Sequence, residues 1–374
     1  RCFASLATTH QMSEETRMGY QPALDGLRAL SVIAVILYHA GVHWIPGGFI
    51  GVEVFFVVSG FLITSLLIDE QHVSGKVSLK QFWIRRARRL LPALFTMLIA
   101  ALVAVTFFAK DSAPDFRQDV GPALGYFSNW WQIYFVDTPY FAANSLPMLR
   151  HLWSLAVEEQ WYVLWPIAFV FVLGNKRIPR WISALVIGLL AAAVMVGTAL
   201  AFTADDETRI NFLYLSTITR SSGLLLGAAL ACIWYPWKKT VVRFAKVRSV
   251  FADVLALGAL ATLGYISAVI HVADERFYLG GLGAATVASA VIIAVVVRSG
   301  KSLVKRALSF SLLVEIGRRS YGLYLWHWPI FVVAGAQLST IRLAYALTAT
   351  VIINEVVYQF IETPARKGAI GNWL

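Results

Sequence analysis

Ten apolar stretches, each close to the length of a bilayer crossing, leave this chain almost no way to fold except through a membrane. They run over 24–43, 49–68, 90–109, 151–173, 181–203, 211–235, 250–270, 280–298, 319–336 and 341–362. A hydrocarbon core asks for about 20 residues of helix. Spanning backbone must also satisfy its own hydrogen bonds, which helices do within one segment. The chain is 58% hydrophobic and 14% charged, where a soluble domain averages about 25% charged. The sequence therefore predicts an all-α polytopic membrane protein of about ten transmembrane helices, with almost no soluble domain.

The connecting segments carry a directional signal. With the N-terminus in the cytoplasm, the inner segments and their span ends hold 24 Lys and Arg. The outer ones hold six: Lys110, Arg117, Arg150, Arg209, Arg276 and Arg342. That bias follows the positive-inside rule and predicts that both termini are cytoplasmic. It also accounts for the net charge of +11 without nucleic acid. The chain divides into an N-terminal cytoplasmic segment (1–23), a transmembrane domain (24–362) and a cytoplasmic tail (363–374). Residues 1–11 precede the first methionine, Met12, and are set aside as upstream or appended sequence. Cys2 and Cys232 give neither a disulfide framework nor metal-ligand spacing.

Ionisable residues inside the spans mark the functional candidates, because each is costly in lipid. Arg28 and His39 sit eleven residues apart on the first span. At 100° and 1.5 Å per residue they share a face and lie about 16 Å apart along the axis. The plainer alternative is a snorkelling Arg and a hydrogen-bonded His. Glu53 lies near the outer end of the second span, beside Gly51 and Gly60, which allow close helix approach. Arg85, Arg86, Arg88 and Arg89 cluster where the third span begins. They serve as topological anchors or, through planar guanidinium forks, as a phosphate site.

The fourth span opens RHLWSLAVEEQWY. Glu158 and Glu159 are adjacent and point to different sides, and His151, Trp153, Ser154 and Gln160 add polar groups. Glu158 is expected at a depth comparable with His39, where a His–carboxylate pair makes a general base; a structural ion pair with Arg150 or Arg28 is the alternative. Arg220 on the sixth span is a further buried cation. The ninth span carries Tyr321, Tyr324 and His327, and the tenth Asn354 and Glu355. Polar residues thus recur on spans one, two, four, six, nine and ten, which predicts a polar cavity inside part of the bundle. Spans five, seven and eight read as scaffold. The outer segment 110–150 turns from acidic (Asp111, Asp115, Asp119) to aromatic (from Tyr126 to Phe141) and reads as an interfacial helix or as a lid or sugar platform.

Taken together, these motifs resemble the acyltransferase-3 family of integral membrane acyltransferases. The resemblance rests on Arg28 with His39, GVEVFFVVSGFLI at 51–63, the arginines at 85–89, HLWSLAVEEQWY at 151–162 and SYGLYLWHWP at 320–329. It implies transfer of a short acyl group, acetyl or succinyl, from cytoplasmic acyl-CoA to a hydroxyl of an extracytoplasmic envelope glycan or glycolipid, in the plasma (inner) membrane. Acyl-CoA would be a co-substrate, with no bound cofactor and no metal. The family's Arg-x-x-Arg motif, associated with the donor, falls on Arg85 with Arg88 or on Arg86 with Arg89, and spacing does not choose. Its first-span pair falls on Arg28 and His39, and its fourth-span carboxylate on Glu158 or Glu159. Glu53 stands where many relatives have Asp.

The expected mechanism has His39 as base, oriented by Glu158 or Glu159, or transiently acylated itself. Arg28, Ser154, Tyr321 or Tyr324 would donate to the oxyanion, and His327 would line the donor channel. Arg220 is a candidate partner for a charged acyl group. The chain stops twelve residues after Glu362, so it is read either as a stand-alone member or as one cut before an SGNH-type extracytoplasmic domain. A transporter or flippase of a charged envelope precursor is the competing class, since it would use the same polar cavity.

Overall fold

The computed structural model describes residues 19–136, 140, 146–174, 178–234, 245–298, 300–336 and 339–368, the side chains of 245–248 aside. The N-terminal segment to residue 18, the tail beyond 368, Cys2 and Phe141 lie outside these. The described residues are predominantly helical, with no strand among them.

In chain order the helices are α1 (Pro22–His39), α2 (Gly51–Ser74), α3 (Leu79–Phe107), α4 (Ala113–Leu124), α5 (Ser128–Tyr134), α6 (Leu152–Ala168), α7 (Arg180–Ala201), α8 (Glu207–Leu215), α9 (Thr217–Ile233), α10 (Ala245–Val269), α11 (Leu282–Val296), α12 (Leu303–Leu308), α13 (Ser311–Arg318), α14 (Ser320–Ala334), α15 (Thr340–Val357) and α16 (Thr363–Arg366). Local chemistry sets several ends. Pro22 sits in the first turn of α1, where its missing N–H is no loss. Gly75, at φ 73°, stops α2, and Ser78 caps α3 by accepting from the Gln81 amide.

Nine helical segments among the described residues are long and apolar enough to cross a membrane. The protein is a multi-pass membrane protein. The ninth apolar stretch, 319–336, is the exception to the expected ten: α14 has only 15 residues. Its side chains from Gly322 to Pro329 are all buried. A helix enclosed by other helices need not match the hydrocarbon thickness.

Small residues decide which helices touch. A Cβ on Gly60 of α2 would strike the Leu224 carbonyl, and one on Gly227 of α9 would strike the Val57 carbonyl. The two backbones lie in contact at this crossing, as small residues permit in membranes. Gly317 of α13 meets the Asp25 carbonyl of α1 in the same way, and Gly26 of α1 meets the Leu308 carbonyl.

The segment between α3 and α6 is anchored by side-chain amides. Asn129 of α5, fully buried, donates to the Leu215 carbonyl (3.2 Å) and to Thr217 Oγ1 (2.9 Å). Gln160 donates to Asn129 Oδ1 (3.0 Å) and to the Tyr126 carbonyl (2.8 Å). The far side of α5 presents Tyr134 and Phe135, about two-thirds exposed and stacked on Trp130 and Trp131 respectively.

Candidate active site

Two polar layers lie one above the other in the bundle. The inner layer is a cavity of about 70 Å³ walled by α1, α2, α3, α6 and α14. Spans five, seven and eight contribute nothing to it, in keeping with their scaffold composition. Spans six and ten do not line it either, although their polar residues pointed that way. Arg220 and Glu53 instead form a closed buried pair at 3.7 Å. Thr286 donates to Glu53 Oε1 (2.8 Å), and the Arg220 Nε donates to the Tyr214 carbonyl (2.6 Å). Gly223 leaves the room that the Glu53 carboxylate fills. Neither residue therefore opens on the cavity. Asn354 is buried against Gly322, and Glu355 pairs with Arg319 at 2.5 Å.

Arg28, Arg86 and Arg89 line the cavity, with Glu158 as the carboxylate among its lining residues. Arg28 is held by Asp25 at 3.1 Å. Arg86 and Arg89, together with Arg85, also line an open cleft of about 540 Å³ at the start of α3. Two of the four arginines thus belong to both spaces. Arg86 and Arg89 are three apart and share a helix face. Arg85 is turned outward, half exposed and paired with Glu70 at 2.9 Å; Arg88 lines neither space. Of the two pairs that fit the spacing, Arg86 with Arg89 is the one whose members line both spaces.

Glu158 does not meet His39. Its carboxylate accepts from the hydroxyls of Ser59 and Tyr162, which are 3.1 Å from each other. The expected common depth fails because His151, not Glu158, is level with His39. Seven residues of helix then carry Glu158 about 10 Å inward, into the layer of Arg28. Glu159 faces away from the cavity, and its buried Oε1 has no hydrogen-bond partner among the described residues. Ser59 and Tyr162 were missed as site residues. Tyr162 was legible, four residues after Glu158 on one helix face; Ser59 carried no signal amid apolar neighbours.

A bar of hydrogen bonds closes the top of the cavity. Tyr324 donates to the His151 carbonyl (2.8 Å), and Ser154 Oγ lies 2.6 Å from the Tyr324 hydroxyl. Tyr321 donates to the Leu90 carbonyl (3.0 Å). Both tyrosine protons expected to serve an oxyanion are thus committed to backbone.

The outer layer contains His39, His151 and His327. His39 Nδ1 is 2.9 Å from His327 Nε2, with the rings stacked at 5.0 Å. His327 therefore sits against His39 rather than along the donor channel. Gly317 of α13 lies against the Asp25 carbonyl of α1 just before α14 begins at Ser320. His327 Nδ1 is 2.6 Å from the Tyr324 carbonyl, and His151 Nε2 is 3.1 Å from the Leu325 carbonyl. Pro329 lacks the N–H that would bond the Leu325 carbonyl within the helix, so that oxygen is open to His151. A carbonyl only accepts, so both contacting nitrogens carry a proton.

The acyltransferase-domain model of the acyltransferase-3 family matches residues 21–353. The chain belongs to that family. Similar family members include O-acetyltransferase OatA of Staphylococcus aureus (strain NCTC 8325 / PS 47), 38% identical over 93% of this chain and 57% of that protein. Peptidoglycan O-acetyltransferase OatA of Listeria monocytogenes serovar 1/2a is 38% identical over 95% of this chain and 57% of its own length. A putative O-acetyltransferase, SAS0844, of S. aureus (strain MSSA476) is 36% identical over 98% and 61%. The chain spans somewhat over half the length of these curated relatives. No solved structure matches it.

Proposed function

We propose that this acyltransferase-3 protein, in the plasma membrane with both termini cytoplasmic, transfers an acetyl group from cytoplasmic acetyl-CoA to a hydroxyl of an extracytoplasmic envelope glycan. The observation that carries the reading is the cavity with three guanidinium groups and one carboxylate, which shares Arg86 and Arg89 with the open cleft. Such an excess of planar cations suits a polyanionic donor, because guanidinium forks bind phosphate bidentately. The names of the relatives favour acetyl over succinyl, and peptidoglycan as the acceptor class. The closed Arg220–Glu53 pair offers no cation to a charged acyl group.

In this reading Arg86 and Arg89 hold the donor phosphates and the pantetheine arm extends past Arg28. The thioester reaches His39 once the Ser154–Tyr324 bar that closes the cavity opens. His39 Nε2 takes the proton of the acceptor hydroxyl as its oxygen attacks the thioester carbonyl. A C–O bond forms, the C–S bond breaks, and the thiolate leaves with the proton held by the imidazolium. Glu158, tied to Ser59 and Tyr162, offsets the cations of the cavity and takes no part in orienting His39.

The test is CoA thiol release from acetyl-CoA by purified protein supplied with peptidoglycan fragments. His39→Ala should abolish release. An Arg86→Ala/Arg89→Ala variant should raise KM for acetyl-CoA at least about tenfold, a loss of about 1.4 kcal/mol in binding, whereas Arg85→Ala/Arg88→Ala should change it little. Glycan moved across vesicles without thiol release would replace this reading with a transporter.

A further inference from the structure

We propose that His327 is a positioning residue that takes the place a carboxylate holds in most histidine-based sites. It holds His39 as the Nδ1–H tautomer and leaves the lone pair on Nε2. This inference rests on the reading of His39 as the base.

The protons can be followed from a fixed end. The Tyr324 carbonyl has no proton to give, so His327 Nδ1–H donates to it across 2.6 Å. A neutral His327 then has only a lone pair on Nε2. The 2.9 Å contact with His39 Nδ1 is a hydrogen bond only if His39 supplies the proton. A neutral His39 with its proton on Nδ1 is a base through Nε2. The backbone carbonyl at one end therefore dictates the reactive nitrogen two residues away in the relay.

Packing keeps the rings from reorienting. His327 is fully buried. His39 stacks on it and lies 4.8 Å from the Trp328 ring. His151 packs edge-on against His327 at 5.7 Å, and its own tautomer is set by the Leu325 carbonyl. On the Nδ1 side of His39 the partner is an imidazole and not a carboxylate. The base is thus oriented by a neutral group, which fixes its tautomer without binding a substrate atom. In a serine-type triad the equivalent partner is an Asp that does the same to its His.

The experiment has two arms. In the first, wild type, His327→Leu, His327→Gln and His327→Asn are compared for acetyl transfer to peptidoglycan fragments. A Gln side chain can place an acceptor oxygen near the position of His327 Nε2; Asn reaches only the Nδ1 position. His327→Leu should lower kcat by about 10²-fold, the usual size of a lost acid–base alignment, with KM for acetyl-CoA unchanged. His327→Gln should recover most of that loss and His327→Asn should not. Equal recovery by Gln and Asn, or an effect on KM alone, overturns the proposal; the latter would return His327 to the donor channel.

The second arm uses no substrate. In detergent-solubilised protein labelled with ¹⁵N-histidine at pH 8, the His39 resonances, assigned by their loss in His39→Asn, should show a protonated Nδ1 and a bare Nε2. The opposite tautomer overturns the inference even in an active enzyme. Absence of acetyl transfer by wild type would instead sink the proposed function, while the tautomer remains readable.

Discussion

At the scale of single residues, the most informative are those whose partners differ from what their types suggested. Arg220 and Glu53 were cavity candidates, yet they form an ion pair with one another in the packed interface of α2 and α9. Removing one member of a buried pair strands the other charge and costs about 3–5 kcal/mol. Arg220→Leu should therefore lower the thermal midpoint sharply, while Arg220→Leu/Glu53→Leu should recover most of it, because two apolar groups leave no charge uncompensated. Acetyl-CoA KM should not move in the double variant. A double variant as unstable as the single would show that the pair is not the source of the loss. Pro329 shows the converse, a residue that acts by what it lacks: the missing amide leaves the Leu325 carbonyl to His151.

At the scale of elements, glycine contacts fix which helices cross and the outer segment shows what holds a surface element down. Gly60→Ala or Gly227→Ala pushes a methyl group into a facing carbonyl where neither backbone can yield. Overpacking of this kind costs about 1–3 kcal/mol, so each variant should lose stability in a thermal melt. An unchanged melt would mean that α2 and α9 can separate without loss. In α4, burial and the neighbouring Asp115 push the Asp119 carboxyl up to about 6, from about 3.9 in an unfolded chain. The folded state thus holds this proton more tightly than the unfolded one. The contribution is complete below about pH 4 and is lost as pH rises through 6. Asp119→Asn, which cannot ionise, should match wild type near pH 4 and exceed it by on the order of 1–2 kcal/mol at pH 8. A difference independent of pH would exclude the carboxyl as its cause.

At the scale of the whole molecule, the bias of Lys and Arg toward one set of connecting segments predicts the topology. A cysteine placed at Lys76, between α2 and α3, should react with an impermeant maleimide only from the cytoplasmic side. One placed at Thr203, between α7 and α8, should react only from outside. The background is a Cys-free chain. Reversed labelling would invert the donor and acceptor faces and overturn the direction of transfer.

The all-α membrane fold, nine of the ten spans and the family were legible from the chain, because bilayer thickness and helical periodicity act on each segment separately. The contact of His39 with His327, the lining of both spaces by Arg86 and Arg89, and the pairing of Arg220 with Glu53 were not. Depth and rotation of one helix against another depend on where small residues let backbones meet, as at Gly317 against Asp25. The amino-acid order alone determined what each helix is and roughly where it ends. Only tertiary packing decided which polar groups share a layer, because a shift of a few ångströms between helices exchanges a carboxylate for an imidazole as the partner of His39.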